Sequence, residues 1–326
     1  MAESDTSVTR GERVAPAIRP DVKAFVDYLN AADRPGLHEV DLAIARQSMN
    51  AMGPLVELPP RDLAVVRDLT CPGPAGEIPL RIYDARASRQ PGPAVVFFHG
   101  GGFVIGDLDT HHSLCTEIAA ELDLPVIAVD YRLAPEHPFP AAPDDCEAAA
   151  RWIAGHADTI GVPVTGLVPM GDSAGGNLAI VVTQALMERP AAVPVVLQVP
   201  IYPLSDEKAD HPSMLEFGQG FFLDAEVMAW FGRSYRASRG DKRAFPIHGD
   251  HANMPPTVLV TAGLDPIRDS GRIYGAELIL AGSDVVFLEM KGIVHGFTQM
   301  RKAIPSAQAD LHAILAAIRL LLERTK

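Results

Sequence analysis

From about residue 78 onward, short apolar runs alternate with helical stretches, and no other feature of the chain restricts its fold as strongly. Ile78–Tyr83, Ala94–Phe98, Val126–Asp130, Leu167–Met170, Val195–Val199, Thr257–Thr261 and Val285–Met290 read as strands. Val195-Val196-Leu197 and Val258-Leu259-Val260 are apolar without interruption, as strands covered on both faces must be. Between these runs lie helical patterns at about 111–122, 144–156, 176–188, 268–281 and 306–324. Strand and helix in strict alternation predict an α/β fold, a mostly parallel central sheet with helices on both faces. Two regions break the rhythm. Residues 1–50 are helical in pattern and precede the first strand. Residues 204–245 carry Met214, Leu215, Phe217, Phe221, Phe222, Met228, Trp230 and Phe231 and are too long for a simple connection, which predicts a lid or accessory layer.

Within this frame Gly171-Asp172-Ser173-Ala174-Gly175 follows the apolar run 166–170 and precedes a helical run beginning at Asn177. A G-x-S-x-G between strand and helix is the setting of a nucleophile elbow, with Ser173 exposed at a sharp turn. The flanking glycines let strand and helix approach closely. Acyl transfer through a serine also needs a base, a group that orients the base, and donors for the oxyanion. His99-Gly100-Gly101-Gly102-Phe103 follows the strand at 94–98, and its glycines can turn amides toward a ligand. Gly101 and Gly102, together with Ala174, are the expected oxyanion donors. The spacing does not supply the G-x-G-x-x-G of a dinucleotide loop.

Asp265, at the carboxyl end of the strand at 257–261, is the candidate acid, because catalytic groups in open α/β sheets gather at such ends. Asp269 is its rival, expected instead in a first helical turn beside the helix dipole. His295, after the last strand, is the candidate base, and a histidine base makes activity rise through neutral pH. His248 and His251 precede Asp265 and fall in the wrong order for this fold. His111 and His112 open a helix and read as a solvated or capping pair, without a partner at metal-ligand spacing. Phe103, Phe217, Phe221 and Phe222 are candidate substrate-lining residues, with the alternative that the aromatic residues of 204–245 form that layer's own core.

Taken together, these motifs resemble the hormone-sensitive lipase family of α/β-hydrolase carboxylesterases, in its bacterial branch (family IV) with a G-D-S-A-G elbow. The resemblance rests on His99–Phe103, Asp172–Leu178, Tyr131–Ala142, Asp265–Asp269 and His295-Gly296-Phe297, in the family's order. By itself the 131–142 segment reads only as a proline-rich loop leading into a helix. The resemblance implies an α/β-hydrolase fold, with a triad of Ser173, Asp265 and His295 and an oxyanion hole of Gly101, Gly102 and Ala174. It also implies a helical cap formed by residues 1–50 and 204–245 over a core at 51–203 and 246–326, and a structural role for His99. The implied activity is hydrolysis of short- to medium-chain acyl esters without metal or cofactor, and a homodimer is possible. Alternatives are an amide or formamide hydrolase or deacetylase on the same triad. More remote is a ligand receptor of the gibberellin-receptor kind, which has lost the catalytic histidine.

A formal net charge of −13 makes nucleic acid and anionic membranes poor partners. Cys71, Cys115 and Cys146 have no zinc spacing, and Cys115 and Cys146 read as buried free thiols. Residues 1–20 carry six charged side chains and no apolar signal region, and no run approaches the ~18 apolar residues of a membrane span. The expectation is a cytoplasmic protein.

Overall fold

Eight strands form one sheet in the order β1-β2-β4-β3-β5-β6-β7-β8 in a computed structural model that describes residues 17–32 and 35–324. The strands are β1 (Val65–Gly73), β2 (Gly76–Asp84), β3 (Gly92–Phe98), β4 (Val126–Val129), β5 (Val164–Asp172), β6 (Val199–Ile201), β7 (Thr257–Leu264) and β8 (Val285–Val294). β1 pairs antiparallel with β2, and β2 antiparallel with β4, while every pairing from β4 to β8 is parallel. The helices are α1 (Pro20–Ala31), α2 (Leu42–Val56), α3 (His112–Leu122), α4 (Ala141–Gly155), α5 (Ala157–Ile160), α6 (Ala174–Glu188), α7 (Pro212–Phe217), α8 (Ala225–Tyr235), α9 (Arg268–Leu280) and α10 (Ser306–Arg324).

Successive strand side chains point to opposite faces, so a central strand must feed two cores. In β3, Val95 and Phe97 join one apolar cluster with α3 and α10, whereas Ala94, Val96 and Phe98 join a second with α4 and α6. Val126 and Ala128 of β4 divide from Ile127 and Val129 in the same way. All eight residues of β7 are buried. This two-sided cover explains why the central strands read as apolar runs.

Two strand expectations need correction. β1 precedes the run at 78 and was not anticipated. It is an antiparallel edge strand with exposed Val66, Arg67 and Asp68, so water access removes the apolar signal. The run Val195–Val199 holds only isolated bridges, at Leu167–Val195 and Gln198–Thr257, and the ladder of β6 begins at Val199. Pro194 lies before this run and Pro200 within β6, and proline lacks a ladder donor.

Residues 1–16 of the expected N-terminal cap segment lie outside the described residues. From the remainder, α1 buries Val22, Phe25 and Val26 against the body, and Arg19 pairs with Asp310 of α10. The ring of Phe25 meets Phe222 at 6.0 Å, and Asn30 donates to Gly220 O at 3.0 Å. The N-terminal helices and the 204–245 segment therefore touch each other. On α6, the buried Asn177 amide donates to Leu204 O and to Ala244 O, both at 2.7 Å, holding the two ends of that segment together.

Candidate active site

Ser173 lies between β5 and α6 with φ 57 and ψ −118, a left-handed conformation that a side-chain-bearing residue adopts only under strain. Its amide donates to Ile201 O at 2.9 Å, which fixes the turn against β6. A Cβ on Gly171 would lie 2.4 Å from Gly175 and Phe98 backbone atoms, and one on Gly175 only 1.9 Å from Phe98 O. Both glycines are thus required by the approach of strand, helix and neighbouring strand. Ala174 opens α6, and a first helical residue has no intrahelical acceptor for its N–H.

The glycine loop is fixed one peptide at a time. His99 O accepts the Tyr131 hydroxyl at 2.7 Å, while Gly100 N–H donates to Asp172 Oδ1 at 2.9 Å. Gly100 O accepts from His99 Nδ1 at 2.7 Å. Gly101 O accepts from Val104 and Ile105 amides, both at 3.0 Å. A trans peptide directs its N–H opposite to its C=O. The amides of Gly101 and Gly102 are left facing away from these bonds, and they donate to no group among the described residues. Gly101 has φ 118 and Gly102 φ 61, both outside the ordinary range of residues with a Cβ.

His99 itself is buried and stacked on Tyr131 with ring centroids 4.3 Å apart. Burial, with the nearby His111, pushes its pKa down to about 4. Its Nδ1 carries the proton given to Gly100 O, and its Nε2 has no partner among the described residues. A neutral imidazole bracing the loop matches the structural role expected of it. Tyr131, from the segment that reads in sequence only as a proline-rich loop, supports the same turn. Arg132 anchors that segment through Asp145, with Nε and Nη2 each 2.8 Å from the carboxylate, and Ala134 N–H reaches Phe103 O at 2.9 Å.

The three residues expected to act together meet across the sheet's carboxyl end. His295 Nε2 is 2.8 Å from Ser173 Oγ, and His295 Nδ1 is 2.7 Å from Asp265 Oδ2. Asp265 is fully buried and its second oxygen accepts from Ile267 N–H at 2.9 Å. The Tyr202 ring packs on His295 at 4.7 Å. Asp269 is elsewhere engaged: Arg268 Nε at 2.9 Å, Arg272 Nη1 at 3.0 Å and Ser213 N–H at 2.9 Å hold it. Although burial opposes it, those arginines keep the Asp269 carboxyl below its ordinary range. The rival acid is an ion-pair residue joining α7 to α9.

His111 is not a solvated or capping side chain. It is 1% exposed and provides no side-chain cap to α3. Its Nε2 lies 3.1 Å from Asp172 Oδ1, and its Nδ1 lies 2.8 Å from Thr110 Oγ1. A charge pattern cannot reveal such a contact, because Asp172 lies far away in sequence.

The aromatic expectations divide. Phe217 is 1% exposed, with Phe221 edge-on at 5.2 Å and Arg268 of α9 over its ring, so it packs into the apolar cluster of the body and has no surface for substrate. Phe103 is buried and stacked on Tyr235 at 3.9 Å, a packing role. Phe222 lies against Gly296, beside His295, where an added Cβ would meet its ring at 3.3 Å. Phe231 of α8, which the sequence offers only as one of the insertion's apolar residues, covers Gly102 so closely that an added Cβ would be 2.2 Å from its ring. The insertion thus touches both the glycine loop and the histidine turn.

A further acid cluster does not offer a cation site. Ligand atoms of Glu117, Glu121 and His312 lie within 4.8 Å of one another, but Arg61 (3.3 Å) and Arg301 (3.7 Å) already face Glu117. Among the described residues, no helix is long and apolar enough to cross a membrane.

Residues 95–299 match the family model of the α/β-hydrolase fold. The chain belongs to that family. The ethyl acetate hydrolase of Pseudomonas putida is 33% identical over 315 residues, covering 93% of this α/β hydrolase and 99% of the relative. Esterase LipI of Mycobacterium tuberculosis is 38% identical over 272 residues, covering 80% and 83%. The solved esterase of Pyrobaculum calidifontis superposes with a TM-score of 0.85 at 33% identity, covering 93% of this hydrolase and 99% of that chain. This α/β hydrolase is an enzyme of the carboxylic ester hydrolase kind.

Proposed function

We propose that Ser173, His295 and Asp265 form the catalytic triad of this esterase, and that Gly101, Gly102 and Ala174 amides bind the oxyanion. The observation that carries the reading is the unbroken line Ser173 Oγ, His295 Nε2, His295 Nδ1, Asp265 Oδ2, with contacts of 2.8 Å and 2.7 Å. In this mechanism Ser173 Oγ attacks the ester carbonyl and gives its proton to His295 Nε2. Asp265 holds the imidazole in the Nδ1–H tautomer and stabilises the imidazolium. Negative charge develops on the former carbonyl oxygen, which the three amides receive without reorganisation. His295 then protonates the leaving alcohol, and water repeats the sequence on the acyl-enzyme to release the acid.

The substrates under this reading are short- to medium-chain acyl esters, and residues 204–245 with the N-terminal helices form a cap over the site. Phe222 and Phe231 support the cap, since their rings stand against Gly296 and Gly102, on the histidine turn and the glycine loop. The test is p-nitrophenol release from p-nitrophenyl butyrate and palmitate by wild type and Ser173→Ala. Butyrate turnover that vanishes in the folded variant supports the reading. Residual turnover in Ser173→Ala refutes the triad, and faster palmitate cleavage refutes the chain-length preference.

A further inference from the structure

The proposed chemistry leaves one buried carboxylate beside the nucleophile without a task. Asp172 is 1% exposed and is the last residue of β5, immediately before Ser173. Its Oδ1 accepts Gly100 N–H at 2.9 Å, and its Oδ2 accepts Gln299 Nε2, also at 2.9 Å. His111 at the start of α3 faces Oδ1 at 3.1 Å, and Gln299 in turn meets His111. One carboxylate therefore joins the elbow, the glycine loop, α3 and the turn four residues beyond His295. Gly100 is pressed onto it, for a Cβ there would lie 2.5 Å from Asp172 Oδ2.

We propose that Asp172 is a positioning residue for oxyanion binding: its carboxylate holds the Gly100 peptide so that the next two amides face the carbonyl oxygen bound at Ser173. The proposal rests on the triad and oxyanion reading above. Its physical basis is the order of the locked peptides. Tyr131 fixes His99 O, Asp172 at 2.9 Å and more distantly His111 Nε2 at 3.2 Å fix Gly100 N, His99 fixes Gly100 O, and only then do the Gly101 and Gly102 amides stand free. Glycine has no side chain to restrain its own torsions, so the direction of those amides depends on such external contacts. A carboxylate suits the position because it accepts several N–H groups at once. Asparagine has the same shape but a single acceptor oxygen, and its NH2 would face the donors of Gln299 or Gly100.

The test compares wild type, Asp172→Asn and Gln299→Ala. Active sites are first counted by stoichiometric p-nitrophenol release from diethyl p-nitrophenyl phosphate. The rate per titrated site on p-nitrophenyl butyrate is then measured, with inhibition by a short-chain trifluoromethyl ketone, whose carbonyl is attacked by the serine oxygen as the proton passes to His295, leaving a hemiketal oxyanion. Asp172→Asn is expected to lose roughly 10²-fold in kcat, as for one oxyanion donor. KM is expected to stay near the wild-type value, and ketone affinity to fall in step with kcat. Gln299→Ala is expected to move the same two quantities the same way, by less.

A purely structural role lowers the melting temperature and the number of titrated sites but leaves kcat per site and ketone affinity unchanged, and that result overturns the proposal. If Asp172→Asn does not fold, Gln299→Ala decides by the same criterion. A folded wild type that releases no p-nitrophenol in the titration overturns the triad reading and the positioning role with it. A titratable wild type with unaffected variants overturns the positioning role alone.

Discussion

Replacing His99 by asparagine should change how stability depends on pH rather than merely lower it. Burial holds the His99 imidazole down to about 4, against an ordinary value of 6.5. Above pH 6.5 the side chain is neutral whether the chain is folded or not, and it makes no pH-dependent contribution. As pH falls, the unfolded chain takes up the proton first, so stability is lost through the interval and the loss is complete below pH 4. At 1.36 kcal/mol per pKa unit the full effect is roughly 3 kcal/mol, of which about 2 kcal/mol develops between pH 7 and pH 4.5. His99→Asn retains a donor for Gly100 O but has nothing to titrate. Urea unfolding at pH 7, 6, 5 and 4.5 should show wild type losing about 2 kcal/mol more than the variant across that range. Parallel curves would refute the reasoning. So would a His99 resonance in ring-labelled native protein that titrates near pH 6.

Gly175→Ala is expected to abolish ester hydrolysis, because its Cβ would fall 1.9 Å from Phe98 O and 2.7 Å from His99 O, both backbone atoms that cannot rotate aside. Circular dichroism and p-nitrophenyl acetate turnover check this, and a folded, active variant would contradict the elbow geometry. Tyr131→Phe removes the donor to buried His99 O, which should cost about 1–3 kcal/mol. Kinetics should show kcat reduced more than KM is raised. Arg132→Ala leaves Asp145, 1% exposed, with only the Arg132 backbone amide among the present arginine contacts. Loss of stability by about 3 kcal/mol in chemical denaturation is expected.

Fold and site were legible in the sequence to different depths. The interior strands declared themselves because cover on two faces forces apolar runs, as at Thr257–Thr261. β1 stayed hidden because Arg67 and Asp68 sit on an edge strand, where solvent relaxes that demand. Ser173, Gly171 and Gly175 were readable because the elbow is local: five consecutive residues specify a turn and its sterics. Asp265 could be preferred to Asp269 by its place at a strand end, but only the three-dimensional contacts separate a group facing His295 from one held by two arginines. The contacts of His111, Gln299 and Phe231 carried no signal, since each acts through a residue distant in sequence and none lies in a spacing that chemistry demands. Phe217 misled because an aromatic side chain reads the same whether it lines a cleft or fills a core.

The Asn177 amide that donates to both Leu204 O and Ala244 O makes the intervening stretch a detour, which departs from the core and returns to one point beside the elbow. Lengthening such a detour is thermodynamically mild, about 0.6 kcal/mol for each doubling of a flexible loop. Neither β6 nor β7 need move when its contents change. Grafting a foreign segment between these two carbonyls should therefore alter which esters fit while the sheet beneath is inherited intact, so that selectivity and fold can diverge as separate traits.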